Sequence, residues 1–244
     1  MKKPVIGITC DFSMVPPAKK GMKPRGRFAV GRSYVKAVIE AGGIPMLLAG
    51  AANPKDVEQQ IELLDGIILT GSADHDPKLY GEKKHPKTKL MHDVRQQYEI
   101  QVGKMGMKSN KPILGICGGC QALNIVNGGS LIQDIPIIIG TPIIHSQKQG
   151  RSVLTHDVYI DRNSRLFQII KKDKIKSNSF HHQAVKKVAN GFKVAACTKD
   201  DIVESIEIQN KRFVLGVQWH PEELTAHKEH LALFKALIEA AKSK

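Results

Sequence analysis

Aromatic side chains make up only 5% of the chain, with a single tryptophan. A basic protein that grips nucleic acid through stacking interleaves aromatics with its cations, and no stretch here does so. Cysteine is almost as scarce. Four residues, Cys10, Cys117, Cys120 and Cys197, lie too scattered for the disulfide framework of a small secreted domain. No apolar run nears the roughly 20 residues that cross a bilayer. The opening MKKPVIGITCD starts basic, but its apolar stretch is short and broken by Gly and Asp, so it does not read as a signal peptide. A soluble, cytoplasmic protein without a membrane partner is expected. Acidic residues are the last deficit: 23 Asp and Glu against 37 Lys and Arg give a formal charge of +14. Nucleic acid is the first partner to consider for such a charge. The lysines, however, fall in scattered pairs such as Lys19-Lys20, Lys83-Lys84, Lys171-Lys172 and Lys186-Lys187. That spread predicts a solvated surface and no nucleic-acid partner, with a field that helps to draw in anionic substrates.

What is present is enough for a large core: 41% of the 244 residues are hydrophobic, which suits one α/β domain of this length. The first half alternates strand and helix. Pro4 to Cys10, Ile44 to Leu48, Asp65 to Thr70 and Pro112 to Ile116 read as buried strands. Gly31 to Ala41, the segment from Pro54 to about Leu64, and Asp93 to about Met107 read as helices, the second begun by an Asn53 cap with proline behind it. Asp11 to Val30 and Asp74 to His92 read as long loops, which in compact domains are usually functional. The pattern predicts an α/β fold with a mostly parallel central sheet, helices on both faces, and sites at the carboxyl ends of the strands. Ser152 to Ile160, Phe192 to Thr198, Ile202 to Ile208 and Phe213 to Trp219 have short connections, which predicts antiparallel strands in the C-terminal half. A helix from about Ala226 to Lys242 closes the chain. With no repeat, low-complexity stretch or linker, residues 1–244 read as a single domain.

The chemistry gathers at Lys111 to Gly129, KPILGICGGCQALNIVNGG. A short apolar strand runs straight into Cys117, then Gly118-Gly119, then the helical spacing Ala122, Leu123, Ile125, Val126. Strand, sharp turn, helix is the outline of a nucleophile elbow. The glycines suit a crowded turn where a Cβ would obstruct the crossing of helix and strand. A cysteine at a helix N-terminus is favoured as thiolate. Taken alone, Cys117 has a plainer reading as a small buried hydrophobe, and Cys117 with Cys120 has another as a redox C-x-x-C pair. His220-Pro221-Glu222, at the end of the Phe213 to Trp219 strand, answers both. Imidazole has the pKa to take a thiol's proton, and Glu222 is placed to orient it.

GVQWHPE together with GICGGCQ resembles the class I glutamine amidotransferases. NSFHHQAV (Asn178 to Val185), GSADHDP followed by LYGE, His145-Ser146-Gln147 and THDVYIDRNSRL are similar to their γ-glutamyl-γ-aminobutyrate hydrolase branch, also called peptidase family C26. The resemblance spans about residues 4 to 223 and implies the flavodoxin-like fold of class I amidotransferases. It also implies hydrolysis of the γ-glutamyl amide of a small conjugate through a thioester, without metal or organic cofactor. Carried over by position, Cys117 is the nucleophile, His220 the base and then acid, and Glu222 the orienter. The Gly118 amide and one from the Gly71-Ser72 turn form the oxyanion hole, Gln121 lies beside the glutamyl group, and His181, His182 and Gln183 line the pocket. For His182 a structural network is the competing role. The partner implied is a small γ-glutamyl substrate; a homodimer is compatible with the resemblance, and the oligomeric state is otherwise open.

The chain departs from the family pattern at three places. Gly118 stands where the hydrolases usually have Arg and amidotransferase subunits often have Leu. Cys120 replaces Met, either as a small apolar filler or as a resolving thiol for Cys117. Ser72-Ala73 replaces glycines in the oxyanion turn. The remaining alternatives are an ammonia-donating glutaminase that serves a synthase, a catalytically silent binding homologue motivated by GICGGC, and a thiol oxidoreductase, which would leave His220-Pro221-Glu222 without a role.

Overall fold

The computed structural model describes residues 2–19, 21–50 and 53–242. Its first elements are β1 Val5–Thr9, β2 Asp11–Val15, β3 Arg25–Ala29, α1 Arg32–Glu40, β4 Ile44–Leu48, α2 Pro54–Glu62 and β5 Gly66–Leu69. After a 3-10 turn at Pro77–Tyr80 come α3 Asp93–Lys108, β6 Ile113–Ile116, α4 Gly118–Val126, β7 Ser130–Ile132 and α5 Ile135–Ile138. The rest is β8 His156–Ile160, α6 Arg165–Ile170, β9 Lys174–Ser177, β10 Ala184–Lys187, β11 Phe192–Cys197, β12 Val203–Ile208, β13 Val214–Val217, a 3-10 turn at Pro221–Glu223 and α7 Lys228–Lys242.

Among the described residues, eleven strands form one sheet along the path β4-β1-β5-β6-β13-β12-β11-β8-β9, with β10 bridging β12 and β7. From β4 to β13 all pairings are parallel. From β12 onward they are antiparallel. This is the expected α/β class, with its antiparallel extension in the C-terminal half. Helices cover both faces, and the period-two alternation of strand side chains shows how. Ile68, Leu114 and Leu215 enter one core with α1, α6 and α7. Their immediate neighbours Ile67, Ile113 and Val214 enter the other with α2, α3 and α4. A parallel strand buried on both faces reads as a continuous apolar run, which is why β5, β6 and β13 are plain in the sequence. The Asn53 cap on α2 forms as expected, its side chain accepting from Asp56 N at 3.1 Å.

Two expected loops are structured. Residues 11–30, which read as aperiodic, contain an antiparallel hairpin of β2 and β3 that lies outside the main sheet. Its strands pair Phe12 with Phe28, whose rings meet edge to face at 5.0 Å, and Phe12 also packs on His92. Every residue of β3 is exposed, so no burial pattern marks it. Lys20, one of the basic residues of that stretch, lies outside the described residues. The 74–92 stretch is pinned at both ends by backbone bonds between Asp74 and residues 89 and 91, and holds the Pro77–Tyr80 turn capped by Asp76. The short elements β7, β9, β10, α5 and α6 leave no pattern in the sequence, each being too brief to carry a period.

The carboxyl ends of β1 and β5 are tied by a buried cation. Arg95 on α3 has no exposed side-chain surface, and neither has its partner Glu99, 2.8 Å away. Arg95 also donates to the Cys10 carbonyl and to Thr70 Oγ1, while Thr70 and Thr9 interlock through Thr70 N and Oγ1. Breaking such a pair strands the other charge at a cost of about 3–5 kcal/mol. Arg95→Met is therefore expected to lower unfolding free energy by that order in urea titration. Arg95→Met with Glu99→Leu should recover most of the loss; a double variant no better than the single would show that the ion pair is not the cause.

Candidate active site

Because β5, β6 and β13 are parallel, their carboxyl ends share one edge of the sheet. β6 ends at Ile116, which pairs with Val217, and Cys117 N donates to the Val217 carbonyl at 2.8 Å. Cys117 then turns with φ 51° and ψ −108°, a conformation that L residues rarely adopt, before α4 begins at Gly118. Such backbone costs about 1–3 kcal/mol and persists only where the surroundings enforce it. Here they do. A Cβ on Gly119 would lie 2.1 Å from the Leu69 carbonyl oxygen, and one on Gly115 would lie 2.6 Å from the Gly119 oxygen. The helix thus crosses directly over β5 and β6, with the Cys117 side chain at its N-terminus.

One residue past Trp219, His220 reaches the same place. Its Nδ1 donates to Glu222 Oε1 at 2.7 Å, leaving Nε2 for Cys117, with which the ring also interacts. Burial would depress the imidazole, but the Glu222 carboxylate and Cys117 outweigh it and raise the pKa to about 10. All three side chains are buried. Two further residues, not singled out from the sequence, hold the group. Asn178 clamps the His220 backbone, accepting from its N–H at 2.9 Å and donating to its carbonyl at 3.1 Å. Gln218 Nε2 approaches Cys117 Sγ at 3.5 Å. Both lie inside the motifs NSFHHQ and GVQWHPE, and that membership is the signal by which the sequence could have shown them.

The Gly71-Ser72 turn faces the elbow, with its two residues in different roles. The Gly71 amide donates to the Tyr34 hydroxyl at 2.9 Å, so it is not a free donor. A Cβ there would lie 2.8 Å from the His220 ring and 3.6 Å from Cys117 Cβ, so glycine leaves room for the imidazole. In the sequence Tyr34 is simply one residue of the Gly31 to Ala41 helix. Burial, then the Glu222 carboxylate, push its hydroxyl well above its usual pKa. Ser72 N lies beside Gly118, whose own N–H opens α4 and lacks an intrahelical acceptor. These two amides are the pair available for an oxyanion. Gly118 also explains its own departure from the family pattern: a Cβ there would lie 2.1 Å from Ser72 Oγ and 2.8 Å from Ser72 N. Serine at 72 and glycine at 118 are halves of one packing solution.

A cleft of about 220 Å³ opens beside Cys117, bordered by Ser72, Asp74, Lys89, Gln121, Phe180 and His181 to Gln183. Gln121 Nε2 donates to the Gln183 carbonyl and to Gln218 Oε1, both at 3.2 Å. Gln183 Nε2 donates to the Gln133 carbonyl. His182 bridges two carboxylates, Asp74 and Asp134, and the hydrogen bond to Asp74 raises its pKa despite burial. The structural network weighed for His182 thus exists, and it stands at the cleft. His181 borders the cleft while its ring turns towards Glu204, Nε2 to Oε1 3.4 Å. His75, from the same loop as Asp74, is fully buried, and its Nε2 donates to the Gly118 carbonyl at 2.9 Å. Cys120 is 1% exposed and packs on Gly216, with burial raising its thiol pKa. That is the environment of an apolar filler.

The Peptidase C26 family profile matches residues 4–222. A glutamine amidotransferase-like protein of Rickettsia prowazekii is 34% identical, covering 99% of both chains. A gamma-glutamyl-gamma-aminobutyrate hydrolase of Escherichia coli K12 is 31% identical over 91% of this chain and 87% of its own. Among solved structures, that of a GMP synthase component from Thermoplasma acidophilum covers 100% of this chain and 96% of its own, with TM-score 0.65 and 16% identity, a likeness of fold. The chain belongs to the peptidase C26 family of glutamine amidotransferase-like proteins. It is a hydrolase of that family.

Gly118→Ala should cut turnover at least tenfold and lower the melting temperature, because the new methyl displaces the Ser72 amide. Ser72→Gly added to it should restore part of both, measured by steady-state kinetics and thermal unfolding. No recovery in the double variant would break the proposed pairing of the two positions.

Proposed function

We propose that the chain hydrolyses the γ-glutamyl amide bond of small conjugates such as γ-glutamyl-γ-aminobutyrate, with Cys117 as nucleophile. The observation that carries this is the line Cys117–His220–Glu222 set against the Ser72 and Gly118 amides at one sheet edge. Cys117 sulfur attacks the amide carbon, and the oxyanion is held by the two N–H groups, each worth roughly 3–4 kcal/mol. The His220 imidazolium protonates the departing amine, so the C–N bond breaks and a thioester remains. Water enters, gives a proton to His220, and releases glutamate with the thiol restored. No step calls on a metal or organic cofactor.

The cleft's charges suit the glutamyl end. Lys89 is a cation for the α-carboxylate, and the Asp74 carboxylate faces the α-amino group beside Gln121. For the leaving amine we assign the neighbouring groove of about 300 Å³ bordered by Asp11, Ala29, Tyr34 and Gly71. Among the described residues, Asp11 is the one charged residue in the groove's border; the preference for a leaving group bearing its own carboxylate rests on Arg25 and Arg27 further along β3, whose last residue Ala29 reaches the groove.

Cys117→Ala should abolish hydrolysis while Cys120→Ala keeps most of it. The isolated protein should turn over γ-glutamyl conjugates with anionic leaving groups faster than glutamine, read as kcat/KM on matched substrates. Activity confined to glutamine and dependent on an added synthase would overturn the reading, as would near-normal turnover by Cys117→Ala.

The pH profile gives a separate check. Because His220 is raised to about 10, its acid form persists through neutral pH and is lost as pH climbs towards that value. Glu222→Gln removes a contribution that raises it. The alkaline limb of kcat should therefore move to lower pH in this variant, with a smaller rate loss at neutral pH than His220→Asn causes. An unmoved limb would remove Glu222 from the role of orienting charge.

A further inference from the structure

Behind the cleft, four side chains no more than 5% exposed converge: His145, His156 on β8, His181, and Glu204 on β12. Three imidazole nitrogens surround one carboxylate oxygen. From Glu204 Oε1, His156 Nε2 stands at 3.0 Å, His181 Nε2 at 3.4 Å and His145 Nδ1 at 3.6 Å. The far nitrogens of two rings are already committed. His181 Nδ1 is 2.9 Å from the Gln183 carbonyl, which only accepts, so that nitrogen carries the proton. His145 Nε2 is 3.1 Å from an Asp200 carboxylate oxygen, which makes it the donor there. A neutral imidazole protonated on one nitrogen presents a lone pair from the other. His181 Nε2 and His145 Nδ1 thus point lone pairs at a carboxylate oxygen, and neither has a hydrogen-bond partner among the described residues. Glu204 Oε2 and His156 Nδ1 are also buried without one there. Such a concentration of lone pairs in a buried site is relieved by a cation at its centre, either a bound metal or a proton on one of the rings.

We infer that His145, His156 and Glu204 form a structural site for a divalent transition metal of the zinc class, with His181 packed against it. A tetrahedral ion with bonds of about 2.0–2.1 Å separates its ligand atoms by roughly 3.3 Å. The separations of 3.0 Å (His156) and 3.6 Å (His145) from Glu204 Oε1 bracket that value. His145, His156 and Glu204 each bring a ligand atom within 4.8 Å of the other two, while His181 stands beside the set, its Nε2 3.4 Å from Glu204 Oε1. Imidazole and carboxylate donors in this number suit zinc. The Asp200 contact is the kind that fixes the tautomer of a metal-bound histidine. The three ligands are buried behind the cleft and separate from Cys117, His220 and Glu222, so the ion's role is structural. It ties β8 and β12 to the segment carrying His145; His181, 3.4 Å from Glu204 Oε1, and Gln183, whose carbonyl receives both His181 and Gln121, link that point to the cleft wall.

The test uses the full chain with any affinity tag removed and with Cys117→Ser, so that the nucleophile cannot capture metal. The protein is stripped by a chelator, loaded with Zn²⁺ or Co²⁺, and dialysed. One equivalent of zinc per chain, visible Co²⁺ bands of tetrahedral intensity and a higher melting temperature are expected. All three should vanish in His156→Gln that remains folded by circular dichroism. Zinc-edge X-ray absorption on the loaded parent, which needs no ligand variant, should show histidine scattering without sulfur. A folded parent that retains less than a tenth of an equivalent of either metal overturns the proposal. So does retention by folded His156→Gln, or an absorption spectrum showing sulfur or only water ligands.

Discussion

The site depends on the parallel pairing of β6 with β13. Ile116 lies opposite Val217, and Cys117 N bonds to the Val217 carbonyl. A slip of one residue would turn one strand over relative to the other, and would send Cys117 and the His220 loop to opposite faces. In register, one strand delivers sulfur and the other imidazole at the same edge, so residues separated by a hundred positions meet without a connecting loop. Everything nearer the chemistry adjusts this placement. Asn178 fixes the His220 backbone, Glu222 fixes its ring, and Gly71 leaves it space.

Close packing is the second constraint, and it acts through missing side chains. Gly115, Gly118, Gly119 and Gly216 let α4 approach the sheet until backbone touches backbone. The strained Cys117 backbone is held by that approach. Dispersion contacts are individually small, yet here they enforce a conformation costing about 1–3 kcal/mol. The paired adjustment of Ser72 and Gly118 shows the same economy: atoms added on one side of the turn are absent from the other.

Much of this was legible in the sequence, for identifiable reasons. Buried parallel strands leave apolar runs, the elbow shows as Gly118-Gly119 directly behind its cysteine, and His220-Pro221-Glu222 is compact enough to be read as one unit. What stayed hidden required three dimensions or had no burial to report. The β2–β3 hairpin is exposed throughout β3 and carries a basic, Pro- and Gly-rich composition typical of loops. Gly71 and Ser72 could not be told apart as donors until the Tyr34 hydroxyl was seen on the former. His145, His156, His181 and Glu204 lie in four separate stretches of the chain, and nothing along it announces that they face one another.

Among the described residues, the β2–β3 hairpin pairs only with itself, lies apart from the eleven-stranded sheet and leaves the parallel core at Cys10 to return at α1. Its sequence is therefore under little obligation to the fold. A scaffold that keeps its cutting edge on rigid strands and hangs a self-contained ribbon beside it can trade one ribbon for another. On the proposed reading of the groove as the leaving-amine site, diversification of what it accepts becomes a matter of exchanging a surface cassette, while the elbow and its supporting glycines stay fixed.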